Sequence, residues 1–216
     1  MSAMLPIMPQ KLALLGGTFD PPHLGHLTIA EWVQQALALD QVIFIPAGSP
    51  PHKQHLLTPA QQRLEMLQAA IADNPRFSLS TLELERSGPS YTLLTLQDFR
   101  AQWPQAEIWW VLGLDSLLNL HHWHRYHEFP AYARLAVTPR PGQTLQSEAT
   151  VTAHIQDYLP EFTDQIDWIN MPLLDISSSA LRKWIQNQKT GRYLLHPAVW
   201  QYIKEHGLYR PNSEIC

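Results

Sequence analysis

Short apolar runs of strand length alternate along the chain with longer stretches in which apolar residues recur at helical spacing. Leu12–Leu15 is the first such run, and it stops at Gly16-Gly17. From Leu24 to Leu39 the positions Leu27, Ala30, Val33 and Leu37 fall on one side of a helix. Val42–Ile45 reads as a second strand, closed by Pro46. Thr58-Pro59 followed by Gln61 has the form of a capped helix start, with Leu64, Leu67 and Ile71 as its apolar face. Phe77–Leu84 alternates apolar and polar residues, as a half-exposed strand does, and Tyr91–Trp103 reads as a helix through Leu93, Leu94, Leu96 and Phe99. Ile108–Leu112 is an almost wholly apolar strand that ends at Gly113. Leu135–Val137 and Ile166–Ile169 are further strands, and the helices Ser178–Gln186 and Pro197–Glu205 follow. The Ser-, Glu- and Gln-rich segment Gln143–Gln165 is expected to be an exposed helix.

Strands alternating with helices predict an α/β fold: a Rossmann-like, mainly parallel sheet with helices on both faces and a small C-terminal helical region. Ligands of such sheets bind beyond the carboxyl ends of the strands. The segments after Leu15, Ile45, Leu112 and Val137 are therefore expected to form the site. With 216 residues and 45% apolar composition the chain can bury a full core. It contains no Gly/Ser-rich linker. The expected organisation is an extension over residues 1–10 and one domain over 11–216, whose C-terminal helical part covers about 175–210.

Composition narrows the classes of partner. The formal net charge is −4, and the 15 basic residues are scattered, which argues against a nucleic-acid face. A small anionic ligand is compatible with this balance, because a few cations and backbone N–H groups hold phosphates. The one cysteine, Cys216, cannot form an intrachain disulfide. The start of the chain is broken by Pro6 and Pro9 and makes a poor signal peptide, and no apolar run reaches membrane-spanning length. A cytoplasmic protein without a membrane partner is expected, with a homo-oligomer left open.

The loop after the first strand reads Gly-Gly-Thr-Phe-Asp-Pro-Pro-His-Leu-Gly-His, from Gly16 to His26, and is neither a Walker A nor a Gly-x-Gly-x-x-Gly sequence. Gly16 and Gly17 are expected to bend sharply and to admit a bulky anion without a Cβ clash. Asp20-Pro21 suits a helix start, with its unpaired N–H groups near the ligand. His23 and His26 lie three apart, on one helix face, and can reach one phosphate; Gly25 keeps the surface between them low. A lone histidine is more often a satisfied, partly buried ring. A pair framed by Gly-Gly-Thr and Gly directly after a first strand favours the phosphate site.

This segment resembles the phosphate-binding signature of the nucleotidylyltransferase superfamily, and the chain from Lys11 to Tyr209 is similar to the bacterial nicotinate-mononucleotide adenylyltransferases. The resemblance rests also on the Ile45…Pro50-Pro51-His52-Lys53 loop, Ser90-Tyr91-Thr92, Gly113-Leu-Asp-Ser-Leu117 with Trp123, Arg140-Pro-Gly142, and Ile176-Ser-Ser-Ser-…-Arg182. It implies an enzyme in which the phosphate of nicotinate mononucleotide attacks the α-phosphorus of ATP and pyrophosphate leaves, a step of NAD biosynthesis. ATP is then a co-substrate, and Mg²⁺ binds chiefly through phosphate oxygens and water. The resemblance assigns catalysis to His23 and His26, and ATP binding to these two together with Gly16, Gly17, Thr18, Ser177, Ser178 and Arg182. It assigns the acceptor to Lys53, Thr92, Asp115, Trp123, His124 and Arg140, with Asp115 suited to ribose hydroxyls and Trp123 to stacking on the pyridine ring. No metal ligand is assigned.

Each element has a plainer reading beside it. Ser177 also reads as the N-cap of an ordinary helix, Pro50–Lys53 as a solvated loop, and Asp115 as an N-cap for Ser116–Leu118. His121, His122, His124 and His127 invite a metal site, but no His-Glu-x-x-His pattern or nearby Cys supports one. His124 departs from the resemblance, since an aromatic residue or Lys is common after the motif tryptophan. The rival functions are an adenylyltransferase with another acceptor, phosphopantetheine or nicotinamide mononucleotide, and a non-catalytic nucleotide-binding regulator.

Overall fold

The computed structural model describes residues 9–49, 58–139, 148–172 and 174–210. In chain order the elements are β1 (Lys11–Gly17), α1 (Leu24–Ala36), β2 (Gln41–Pro46), α2 (Ala60–Ile71), β3 (Phe77–Leu79), α3 (Leu82–Glu85), α4 (Thr92–Gln102), β4 (Glu107–Gly113) and α5 (Leu114–Leu118). Then come β5 (Arg134–Thr138), α6 (Glu148–Tyr158), β6 (Ile166–Trp168), α7 (Ser178–Gln186) and α8 (Pro197–Glu205). Short 3-10 turns cover Leu120–His122, Tyr126–Ala131 and Pro160–Phe162.

The strands form one sheet in the order β3-β2-β1-β4-β5-β6, and every pairing is parallel. Parallel strands need covered faces, which is why β1, β2 and β4 are apolar at nearly every position. Successive side chains serve opposite core layers. Leu12, Leu14, Ile43, Ile45, Trp110, Leu112 and Leu135 meet α4, α5 and α6 on one face. Ala13, Leu15, Val42, Phe44, Trp109, Val111 and Ala136 meet α1, α2, α7 and α8 on the other.

Three expectations need correction. The alternation over Phe77–Leu84 yields a strand only as far as Leu79; residues Leu82–Glu85 form α3, which turns Glu83 inward to accept a hydrogen bond from Thr95 Oγ1 at 2.6 Å. The α1 helix stops at Ala36 rather than running to Leu39, because Ala38 takes a left-handed conformation (φ 49°) and Leu39 N–H returns to the Gln34 carbonyl. Of the expected exposed helix over Gln143–Gln165, residues 143–147 lie outside the described residues. The rest is not simply exposed, since Val151, Ile155, Leu159 and Phe162 enter the core.

Candidate active site

The chain passes from β1 to β2 on one side, whereas β4 lies on the other side of β1. Loops leaving β1 and β4 therefore diverge and open a crevice at the carboxyl edge. The glycines at the end of β1 act differently from the expectation. Both are strand residues. A Cβ on Gly16 would come within 2.6 Å of the Trp110 ring, and one on Gly17 within 3.0 Å of the Phe19 ring. They make room for the protein's own aromatic packing. The sharp turn falls on Phe19, buried at φ 51°, whose ring meets His26 edge-on at 5.0 Å.

Asp20-Pro21 is not the start of the helix. The N-cap of α1 is His23, and Asp20 is a buried anchor. Its carboxylate accepts from Tyr209 Oη at 2.6 Å and from Thr58 N–H at 3.3 Å, and its carbonyl accepts from Arg182 Nη1 at 2.6 Å.

The two motif histidines stack with ring centroids 3.7 Å apart. His23 N–H donates to His26 Nδ1 at 3.1 Å, so a neutral His26 carries its proton on Nε2. Burial pushes the pKa of His23 down to about 4, and its Nδ1 is buried without a hydrogen-bond partner among the described residues. Gly25 is needed here for a second reason: a Cβ would lie 3.0 Å from that Nδ1. Both rings border a cleft of about 380 Å³ that also meets Gly113, Asp115, Thr138 and Ser177–Ser179. Met171, Leu174 and Ile176 give it an apolar side.

Helix α7 points its N-terminus at this cleft. Ser177 is its N-cap, accepting from Ala180 N–H at 3.2 Å, and the N–H groups of Ser178 and Ser179 have no backbone partner among the described residues. Ser178 Oγ donates to the Pro21 carbonyl at 2.9 Å, and Arg182 Nη2 reaches Ser179 Oγ at 3.3 Å. The Ser178 and Arg182 side chains thus brace α7 against the motif loop. Gly16 and Gly17 end β1 and Thr18 follows them at the same sheet edge, but none of the three lines the cleft. The two imidazoles and the helix N–H groups suit an anion with several oxygens, and Asp115 offers a carboxylate for hydroxyl donors. Asp115 lies within the first turn of α5, which Gly113 caps, so the expected N-cap role is corrected.

A second cavity, of about 420 Å³, opens at the same edge and joins residues distant in sequence: Ser90, Tyr91 and Thr92 with His122, Trp123, His124 and Phe129. Trp123 is half-buried, with Phe129 edge-on to it at 6.4 Å. His124 stacks on Tyr91 at 4.4 Å, so its imidazole acts as a flat ring. No side chain caps the N-terminus of α4, and Thr92 N–H has no backbone partner among the described residues. Trp123 N–H is taken by the Leu120 carbonyl at 2.8 Å, which leaves it unsuited to bind a ligand. Lys53 and Arg140 lie outside the described residues. The other histidines diverge: His121 meets His122, His154 and Tyr158, whereas His127 lies 3.7 Å from Glu128.

Sequence reasoning missed Arg63, Tyr209 and the structural use of Ser90, whose Oγ accepts from Gly48 N–H at 3.1 Å. Arg63 had left a signal. Arg63, Met66, Leu67 and Ala70 form an i, i+3, i+4, i+7 stripe, and the structure buries that stripe with the arginine in it.

The model of the family described as cytidylyltransferase-like matches residues 14–184. A protein of Herpetosiphon aurantiacus named "Probable nicotinate-nucleotide adenylyltransferase" is 43% identical over 200 residues, 93% of this chain and 98% of that protein. One of the same name from Oceanobacillus iheyensis is 40% identical over 93% of this chain and 97% of its own length. Among solved structures, the Plasmodium falciparum nicotinic acid mononucleotide adenylyltransferase complexed with NaAD aligns with a TM-score of 0.78 at 20% identity, covering 95% of this chain and 100% of that one. Fold and sequence agree: the chain belongs to the cytidylyltransferase-like family and, within it, to the nicotinate-nucleotide adenylyltransferases.

Proposed function

We propose that this enzyme transfers the adenylyl group of ATP to nicotinate mononucleotide, giving nicotinate adenine dinucleotide and pyrophosphate. The observation that carries this reading is the pair of cavities at one sheet edge, one lined by His23, His26 and the start of α7, the other walled by Trp123 and His124 beside the start of α4. The relatives at about 40% identity bear the name of this activity.

In the reaction, a phosphate oxygen of the mononucleotide forms a bond to the α-phosphorus of ATP while the bond to the bridging oxygen breaks. Pyrophosphate leaves with that electron pair, and no covalent enzyme intermediate is needed. The protein aligns the two phosphates and stabilises the charge that spreads in the transition state. His26, protonated on Nε2, donates to phosphate oxygens. His23 is neutral at pH 7 and contributes a hydrogen bond rather than a charge. The Gly16–Thr18 backbone and the N–H groups of Ser178 and Ser179 cradle the phosphates, and Ser177 keeps the α7 terminus in place. Arg182 exchanges the Asp20 carbonyl for a terminal phosphate oxygen, and Asp115 accepts from a ribose hydroxyl. In the second cavity Trp123 stacks on the pyridine ring, and the N–H of Thr92, with that of His124, receives the carboxylate. By resemblance alone, Lys53 meets the mononucleotide phosphate and Arg140 lies near the nucleotide.

Among the described residues no group of three His, Cys, Asp or Glu is arranged to hold a metal. A hard cation such as Mg²⁺ takes oxygen ligands, which the ATP phosphates and water would supply. Mg²⁺ bound in this way would neutralise phosphate charge.

Pyrophosphate release with ATP and each of nicotinate mononucleotide, nicotinamide mononucleotide and phosphopantetheine tests the proposal. Nicotinate mononucleotide should exceed the amide in kcat/KM by at least ~10-fold, the size of one charge-assisted hydrogen bond. A higher kcat/KM for phosphopantetheine would replace the acceptor. ATP binding without turnover of any acceptor would mark a regulator.

A further inference from the structure

We propose that Arg63 is a positioning residue for adenylyl transfer: its guanidinium ties the loop after β1, which leads to the His23–His26 cleft, to the segment after β2 that reaches the wall of the second cavity, and so sets the alignment of the two substrates. This inference rests on the function proposed above.

Arg63 lies in the first turns of α2 and is 1% exposed. Its three nitrogens bond three main-chain carbonyls from three segments. Nη1 donates to Thr18 at 2.8 Å, Nη2 to Ala47 at 2.9 Å and Nε to Thr58 at 3.1 Å. Thr18 belongs to the loop after β1. Ala47 follows β2, and the next two N–H groups, of Gly48 and Ser49, donate to Ser90 Oγ in the wall of the second cavity at 3.1 and 3.3 Å, whereas Thr58 stands just before α2. The same segments are also joined by Ala47 N–H to the Gly17 carbonyl at 2.8 Å and by Thr58 N–H to the Asp20 carboxylate at 3.3 Å.

Among the described residues no carboxylate forms an ion pair with Arg63; Asp20 gives its oxygens to Tyr209 and the Thr58 N–H. Burial pushes the Arg63 pKa down and outweighs the field of the buried Asp20 carboxylate, which favours the Arg63 charge, so the cation is held here at a cost. Simple filling of this site would be achieved at lower cost by Met or Leu. What the apolar side chains lack is a planar fork of donors able to reach three diverging carbonyls, and Lys has only one ammonium point.

The consequence lies in turnover. Each cavity can still bind its own substrate when the tie is loosened, but the attacking oxygen and the α-phosphorus are then held less accurately. A misplacement of about 1 Å costs on the order of 10²-fold in rate. Such a loss falls on kcat, whereas lost ground-state contacts raise KM.

The test compares wild type, Arg63→Lys and Arg63→Met. Circular dichroism and thermal melting establish folding, and kcat with both KM values is measured well below the melting temperature. Arg63→Lys should be folded with kcat lowered at least ~30-fold and both KM values within ~3-fold of wild type. Arg63→Met should be no better. A folded Arg63→Lys with kcat within ~3-fold of wild type would overturn the proposal, as would a loss of kcat/KM carried by KM alone. If neither variant folds, Arg63 is structural and the proposal fails. Failure of the underlying function is seen separately, in the wild type. Turnover only with another acceptor moves the same comparison to that acceptor, and no turnover with any acceptor ends both proposals.

Discussion

His23 is 6% exposed with its pKa at about 4, whereas the half-buried His26 keeps Nδ1 on a backbone N–H. Two residues three apart in sequence therefore face different physics, and each yields its own prediction. For His23 the folded pKa lies below the ordinary histidine value of 6.5, so the unfolded chain binds the extra proton first as pH falls. Stability of the ligand-free protein should therefore be full above pH ~6.5 and decline toward pH ~4, the His23 contribution to that loss being roughly 3 kcal/mol. Urea unfolding of wild type and His23→Asn across this range checks it. The wild type should lose more stability than the variant, and parallel curves would show that His23 is not buried neutral. For His26 the prediction concerns rate. His26→Ala should fold, at a cost of about 1 kcal/mol for the lost acceptor at the start of α1, and lose ~10²–10³ in kcat. A folded variant with near wild-type turnover would remove His26 from the chemistry.

Helix α4 and the turn at Leu120–His122 meet only in three dimensions, yet they build one cavity from Thr92, Trp123 and His124. Trp123 faces both the cavity and the core, so Trp123→Ala should raise the KM for nicotinate mononucleotide at least ~5-fold, since stacking is worth roughly 1–3 kcal/mol. The KM for ATP should stay near wild type even though the melting temperature falls. A proportional loss for both substrates would mean packing alone. Element order was legible because buried parallel strands such as Ile108–Leu112 are continuous apolar runs and the helices between them keep their period. The end of β3 was not, because Leu82, Leu84 and their polar neighbours fit a strand as well as one helical turn; the burial of Glu83 against Thr95 decides it. Of the site, the motif residues were legible as chemistry but not as geometry. Nothing local shows that the Gly16 position is filled by the Trp110 ring, or that Gly113 rather than Asp115 caps α5.

The longest-range links converge on Asp20. Tyr209, 189 residues away in sequence, donates its hydroxyl to the buried carboxylate, and Arg182 donates to the carbonyl of the same residue. Helices α7 and α8 add Leu181, Ile185, Val199 and Ile203 to the core layer under α1 and α2, so the C-terminal region closes the molecule on the motif loop. This predicts the behaviour of Tyr209→Phe, which keeps the ring and removes only the donor. A hydrogen bond to a charged group contributes about 1.5–3 kcal/mol, and in a protein of this size that lowers the melting temperature by roughly 5 °C. Burial and the neighbouring carboxylate push the Tyr209 pKa well above its ordinary 10.0. The wild-type advantage should therefore hold below pH 10 and shrink above it, where the unfolded chain releases the tyrosine proton that the folded chain retains. If Tyr209 contributes only its ring to packing, the phenylalanine variant melts with wild type at neutral pH. If the hydroxyl holds Asp20, and through Asp20 the loop before His23, the variant also binds ATP more weakly while its affinity for nicotinate mononucleotide stays unchanged. Melting curves at neutral pH and above pH 10, with calorimetry of both ligands, separate the two outcomes.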